Sequence, residues 1–198
     1  MDRRSPFGGT HTCEAFLIIS KLLPVTGLLV ITSACASFGL AADDVVALRQ
    51  TDMKAMAAAA KTMAEMFRDP ASYSSAEFRN AAGSIAARSG DALADHFISG
   101  LDDPKSKAKP EIGAERERFD RLADDLRDYA HALETAAADN PGLMTGRMRM
   151  KPGEVMGGGP LGTHVRNEAA LASIPAEHLF HLMLQACTTC HARFRMGQ

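Results

Sequence analysis

From Asp43 onward, large and apolar side chains recur at Val45, Arg49, Met53, Met56, Ala60, Met63 and Phe67. These steps of three and four mark one face of a helix over 43–67. Asp43 and Asp44 stand in its first turn, where negative charge suits the helix dipole, and Asp69-Pro70 ends it. Ser74 followed three residues later by Glu77 is a capping pattern, and it opens a second helix through Phe78, Ala82, Ile85 and Ala86. Gly90 is expected to interrupt that helix before Leu93 and Phe97. A third amphipathic run, 115–138, carries Phe119, Leu122, Leu126, Tyr129, Ala130 and Leu133, and "DNPG" closes it at Asp139 to Gly142. Pro175 suits the first turn of a fourth helix striped by Leu179, Met183, Ala186, Cys190 and Phe194.

No alternating pattern of strands and no internal repeat interrupts this order. Four helices with one buried stripe each predict an all-α antiparallel four-helix bundle. Two connections stand out. "GLDDPKSKAKPEIG" (100–113) is charged and reads as a loop, and 141–173 is rich in Gly, Pro and Met, shows no period, and is long for a compact domain.

The first 42 residues follow another rule. Arg3, Arg4 and Lys21 precede the apolar run "LLPVTGLLVITSACASFGLAA", which ends in small residues. That is the pattern of an export signal over 1–42, cleaved near Ala41 or Ala42, which leaves one domain over 43–198. "TSAC" offers lipid attachment at Cys35 as a weaker alternative. Cleavage would remove Cys13 and Cys35 and leave no membrane-spanning segment. The remainder has 19 basic and 22 acidic residues, a net charge of −3, which favours neither nucleic acid nor an anionic membrane surface. Export to the periplasm places the last two cysteines in an oxidising compartment.

Those cysteines lie in "CTTCHARFR", Cys187 to Arg195. On a helix, Cys187, Cys190 and His191 fall on one side within about one turn. Two thiols can add across the vinyl groups at one edge of a haem while the imidazole meets the iron, so the pattern predicts one covalent haem c per chain. Zinc would ask for a second ligand pair, and a thioredoxin-like redox pair would ask for a strand before the helix. A plain disulfide would leave His191 without a purpose.

An exported four-helix bundle with this motif at the end of its last helix resembles the cytochrome c′ family. "CTTCHARFR" is similar to that family's C-x-x-C-H-x-x-[YF]-R, and "LRQTDM" (Leu48 to Met53) to its first-helix "RQ" segment. The 141–173 connection is longer than the family's usual one. The resemblance implies that Cys187 and Cys190 hold the haem, that His191 is the proximal ligand with Arg195 near it, and that Arg49 lies near the haem propionates. It also implies that Met53, four residues after Arg49, can be a sixth ligand to iron as in the low-spin branch, with Met56 as competitor. His96, His131, His164, His178 and His181 have no supporting motif. Met144, Met148, Met150 and Met156, interleaved with Arg and Lys, read as a disordered stretch, or as a haem-covering or partner-docking loop, rather than a soft-metal site.

The function expected is electron transport with His/Met ligation, exchanging electrons with redox partner proteins and making no bonds of its own. The alternatives are a five-coordinate protein binding nitric oxide or carbon monoxide, and a haem subunit of a larger oxidoreductase. The family's habit of pairing through its first two helices implies a homodimer.

Overall fold

A computed structural model of the chain describes residues 42–153 and 168–197. Its helices are α1 (Ala42–Arg68), α2 (Ser75–Ala86), α3 (Asp91–Asp95), α4 (Glu111–Ala114), α5 (Arg116–Ala138), α6 (Glu168–Leu171) and α7 (Ala176–Phe194), with a 3₁₀ turn at Pro70–Ser72. Residues 1–41 of the expected export signal, with Cys13 and Cys35, and Met156 and His164 lie outside the described residues. No described helix is long and apolar enough to cross a membrane.

The local signals in the sequence act where they stand. Ser74 Oγ accepts from the Glu77 amide at 3.3 Å and opens α2. Gly90 separates α2 from α3 with φ +60°, and a Cβ there would lie 2.3 Å from the Arg127 guanidinium. Its amide donates instead to the Ala123 carbonyl at 2.9 Å. Only glycine meets both demands.

α1, α2, α5 and α7 form the four-helix bundle. Met56 of α1 lies beside Ser89, just past α2, and Phe67 beside Phe78, so α1 and α2 run antiparallel. Ser75 Oγ donates to the Ala137 carbonyl while Gly90 pairs with Ala123, which sets α2 antiparallel to α5. Phe119 at the start of α5 meets Phe194 at the end of α7. The bundle closes where Phe67 of α1 meets Phe180 of α7, ring centroids 5.4 Å apart.

That closed end also takes up part of the long connection. Met148 is 1% exposed, and its carbonyl accepts from the Glu177 amide at 2.8 Å. Glu177 in turn binds Arg149 Nε and the Met150 amide, each at 2.9 Å, and Arg149 donates to the Phe67 carbonyl. The expectation of a disordered or haem-covering stretch is therefore corrected for Met148 to Met150, while Thr145 to Arg147 are exposed. One apolar side chain anchors a segment without periodicity onto the end of the bundle away from Arg49. From Arg49 to Phe67 is roughly 27 Å along α1 at the helical rise.

Candidate functional site

At the other end α1 and α7 part, and a cavity of about 420 Å³ opens between them. Val46, Met53 and Ala57, spaced on one face of α1, form one wall, and Cys190, His191 and Phe194 of α7 face it. Phe97 and Phe119 close the back. The volume falls within the range of small-molecule and cofactor pockets.

The last turn of α7 is fixed by a strap. The Arg195 amide donates to the His191 carbonyl at 3.1 Å, ending the helix. The chain then pairs with 107–109: Lys109 N donates to Phe194 O at 2.9 Å and Met196 N to Lys107 O at 2.8 Å, around an isolated antiparallel bridge between Ala108 and Arg195. The 100–113 segment, expected as a loop, thus forms one edge of the cavity mouth and runs into α4. Nothing in its sequence announced this, because one bridged pair leaves no period of two.

Both C-terminal cysteines are free thiols. Cys190 lines the cavity, whereas Cys187, one turn earlier, packs on the margin of the core. Burial pushes both thiols up, Cys190 to about 12 with a further push from Cys187. Burial and then the positive charge of Arg195 hold the His191 imidazole below its usual value. Its neutral form, which a metal ligand needs, is favoured.

Arg195 is exposed and lines the cavity beside His191. Arg49 lines it too, but its guanidinium has a different occupation. Only 4% exposed, it donates to the carbonyls of His96, Ser99 and Gly100 and lies 4.5 Å over the Phe97 ring. It satisfies carbonyls left over where α3 ends, and burial lowers its pKa against a raising effect of Asp103.

Met53 is half-buried in the cavity wall, while Met56 is buried outside the lining with its sulfur 3.9 Å from Ser89 Oγ. Of the two methionines, the structure brings only Met53 to the cavity. The other described histidines do not line it: His96 stands 3.4 Å from Asp52, His131 3.4 Å from Glu134, and His181 beside Phe180, with His178 buried in α7. No cluster of three or more His, Cys, Asp or Glu suited to a metal ion occurs among the described residues.

The residues fit a haem c. Two thiols and an imidazole sit on one helix at a largely apolar cavity, and Lys54, Lys107 and Arg195 at its mouth can face carboxylates.

Comparison with known proteins agrees. Residues 44–151 match the sequence profile of the family described as Cytochrome C′. No curated protein matches the chain. Among solved structures, cytochrome c′ from Thermochromatium tepidum is 23% identical with a TM-score of 0.58, covering 80% of this chain and 100% of that one. A cytochrome c′ described as having ligand-controlled dimer dissociation is 19% identical, TM-score 0.57, covering 80% and 99%. A ferrous variant of cytochrome c prime from Alcaligenes xylosoxidans with bound nitric oxide is 17% identical, TM-score 0.56, covering 81% and 99%. The matched profile stops before α7, so the haem motif adds evidence of its own.

Proposed function

Because this chain belongs to the cytochrome c′ family, periplasmic c-type cytochromes with one covalently attached haem c per chain, we propose that it is an exported haem protein binding a small diatomic gas on the α1 side of its cavity. In this reading Cys187 and Cys190 hold the haem through thioether bonds and His191 is the axial ligand from α7. Burial, and after it the charge of Arg195, biases His191 toward its neutral form. Val46, Met53 and Ala57 offer an apolar wall that excludes water from the opposite face. When bound, the haem supplies an iron that can change oxidation state and take an axial ligand. The observation that carries the reading is the cavity between the two helices, with Cys190 and His191 on one wall and apolar α1 residues on the other. The nitric oxide complex of the Alcaligenes relative adds support.

A second reading, an electron carrier with His/Met ligation, draws on one observation: Met53 is in that wall and Met56 is not. Spectra of the exported protein separate the two. Prompt change of the ferrous spectrum on adding carbon monoxide at neutral pH is the expected result. Sharp low-spin bands with a ferric methionine-to-iron charge-transfer band, lost in Met53→Ala and kept in Met56→Ala, would establish the electron carrier instead. Absence of covalent haem would overturn both.

The homodimer belongs here as well. Exposed Ala58 leaves α1 open to close approach, and the dimerising relative makes pairing a natural expectation.

A further inference from the structure

Basic side chains on the helix faces of this protein mostly have acidic neighbours. Lys61 pairs with Glu65, Arg116 with Asp120, Arg121 with Glu117 and Arg127 with Asp124. The cavity mouth is different. Lys54, Lys107 and Arg195 line it, and Lys109 stands beside Arg195 at a second opening of about 460 Å³ on the His191 side. Among the described residues none of these four cations is in an ion pair.

The acids nearby are already occupied or turned away. Asp52 is held by Arg88 at 3.2 Å, and Glu115 by Arg118 and Arg193. Asp103 acts on Arg49, and one carboxylate oxygen of Glu111 is buried away from solvent without a hydrogen-bond partner. A haem brings two carboxylates, fewer than these four cations. Met196, 42% exposed, adds an apolar contact point among them. All this sits on a domain whose net charge is −3, so the patch is a local reversal of sign.

We propose that this mouth is the docking surface for an acidic protein that delivers electrons to the haem. The inference rests on the haem reading above and holds for a gas binder and an electron carrier alike, since both need ferrous iron. The partner's reduced centre gives up one electron and is oxidised as Fe(III) becomes Fe(II), with no bond made or broken. Lys54, Lys107, Lys109 and Arg195 steer its carboxylates, and Met196 meets an apolar spot within them.

The sign of the salt dependence tests this on the full holoprotein. Ferric protein is reduced by flavodoxin hydroquinone as the acidic protein probe, and ferrous protein is oxidised by anionic hexacyanoferrate(III) or by a cationic tris(phenanthroline)cobalt(III) complex. Between about 0.01 M and about 0.2 M salt, the flavodoxin and hexacyanoferrate rates should each fall on the order of tenfold while the cobalt rate rises. The double variant Lys107→Glu/Lys109→Glu should abolish or invert these slopes. Lys61→Glu/Arg79→Glu, with the same change in net charge placed elsewhere, should keep them. Rates with both anionic reagents that rise with salt, as the net charge alone demands, would overturn the proposal. So would equal responses of the two double variants, or a hexacyanoferrate slope that falls while the flavodoxin slope does not. A protein purified without covalent haem would remove the haem reading itself, which the visible spectrum shows before any rate is measured.

Discussion

The two ends of the bundle use the same pair of helices to opposite effect. At one end α1 contributes Phe67, which meets Phe180 of α7 and, edge on at 5.4 Å, Phe78 of α2. Met148 and the Arg149–Glu177 pair cover what is left. At the other end there is again a row of aromatic rings, Phe97, Phe119 and Phe194, with successive centroids 4.9 and 5.4 Å apart. None of these belongs to α1. There α1 offers Val46, Met53 and Ala57 to the gap and sends Arg49 over Phe97. A bulky ring from α1 seals the bundle, and its absence leaves room for a cofactor. The cavity is thus a matter of which helix supplies the aromatics rather than how many there are.

The difference can be broken most completely at the open end. Cys187→Ala/Cys190→Ala should leave no haem that survives denaturing electrophoresis, with loss of the visible bands and a lower melting temperature, because the cofactor no longer fills the gap. At the sealed end, Phe67→Ala should cost about 3–5 kcal/mol in urea unfolding through the void it leaves, yet keep covalent haem and its band positions. A shift of those bands in Phe67→Ala would mean the two ends are not independent.

Arg49→Lys sharpens the contrast at lower cost. Lysine keeps the charge but has no fork to reach three carbonyls, so about 2 kcal/mol should be lost in unfolding. If Arg49 served only as a counter-charge to the haem, the lysine would leave stability unchanged. The smallest effect is one of pH. In protein lacking haem the Cys190 thiol, pushed up to about 12, adds stability that is complete below 9 and is lost as pH rises toward 12. Urea midpoints of the haem-free form should fall across that window. Those of the holoprotein, whose sulfurs are thioethers and do not titrate, should lose nothing from this source.

Much of this was legible in the sequence for local reasons. Helix α1 could be read from the steps between Val45 and Phe67, α2 from Ser74 and Glu77, and the break before α3 from Gly90, because each signal lies within a turn or two of what it controls. The haem motif was legible for the same reason, with thiols and imidazole three and four residues apart. What escaped was non-local. Arg49 finds its carbonyls 47 to 51 residues away. The strap pairs Lys107 with Met196, and Met148 reaches the core from a stretch without period. The resemblance pointed Arg49 toward propionates, and its bonds to the end of α3 could be seen only once the chain was folded.

The placement of the cavity walls has a consequence for how the protein is made. One wall comes from the first described helix and the other from the last, so a chain made amino end first presents Met53 long before His191. No truncated product can bring both walls together, so the complete cavity exists only in a chain whose α7 has been delivered and folded back onto α5.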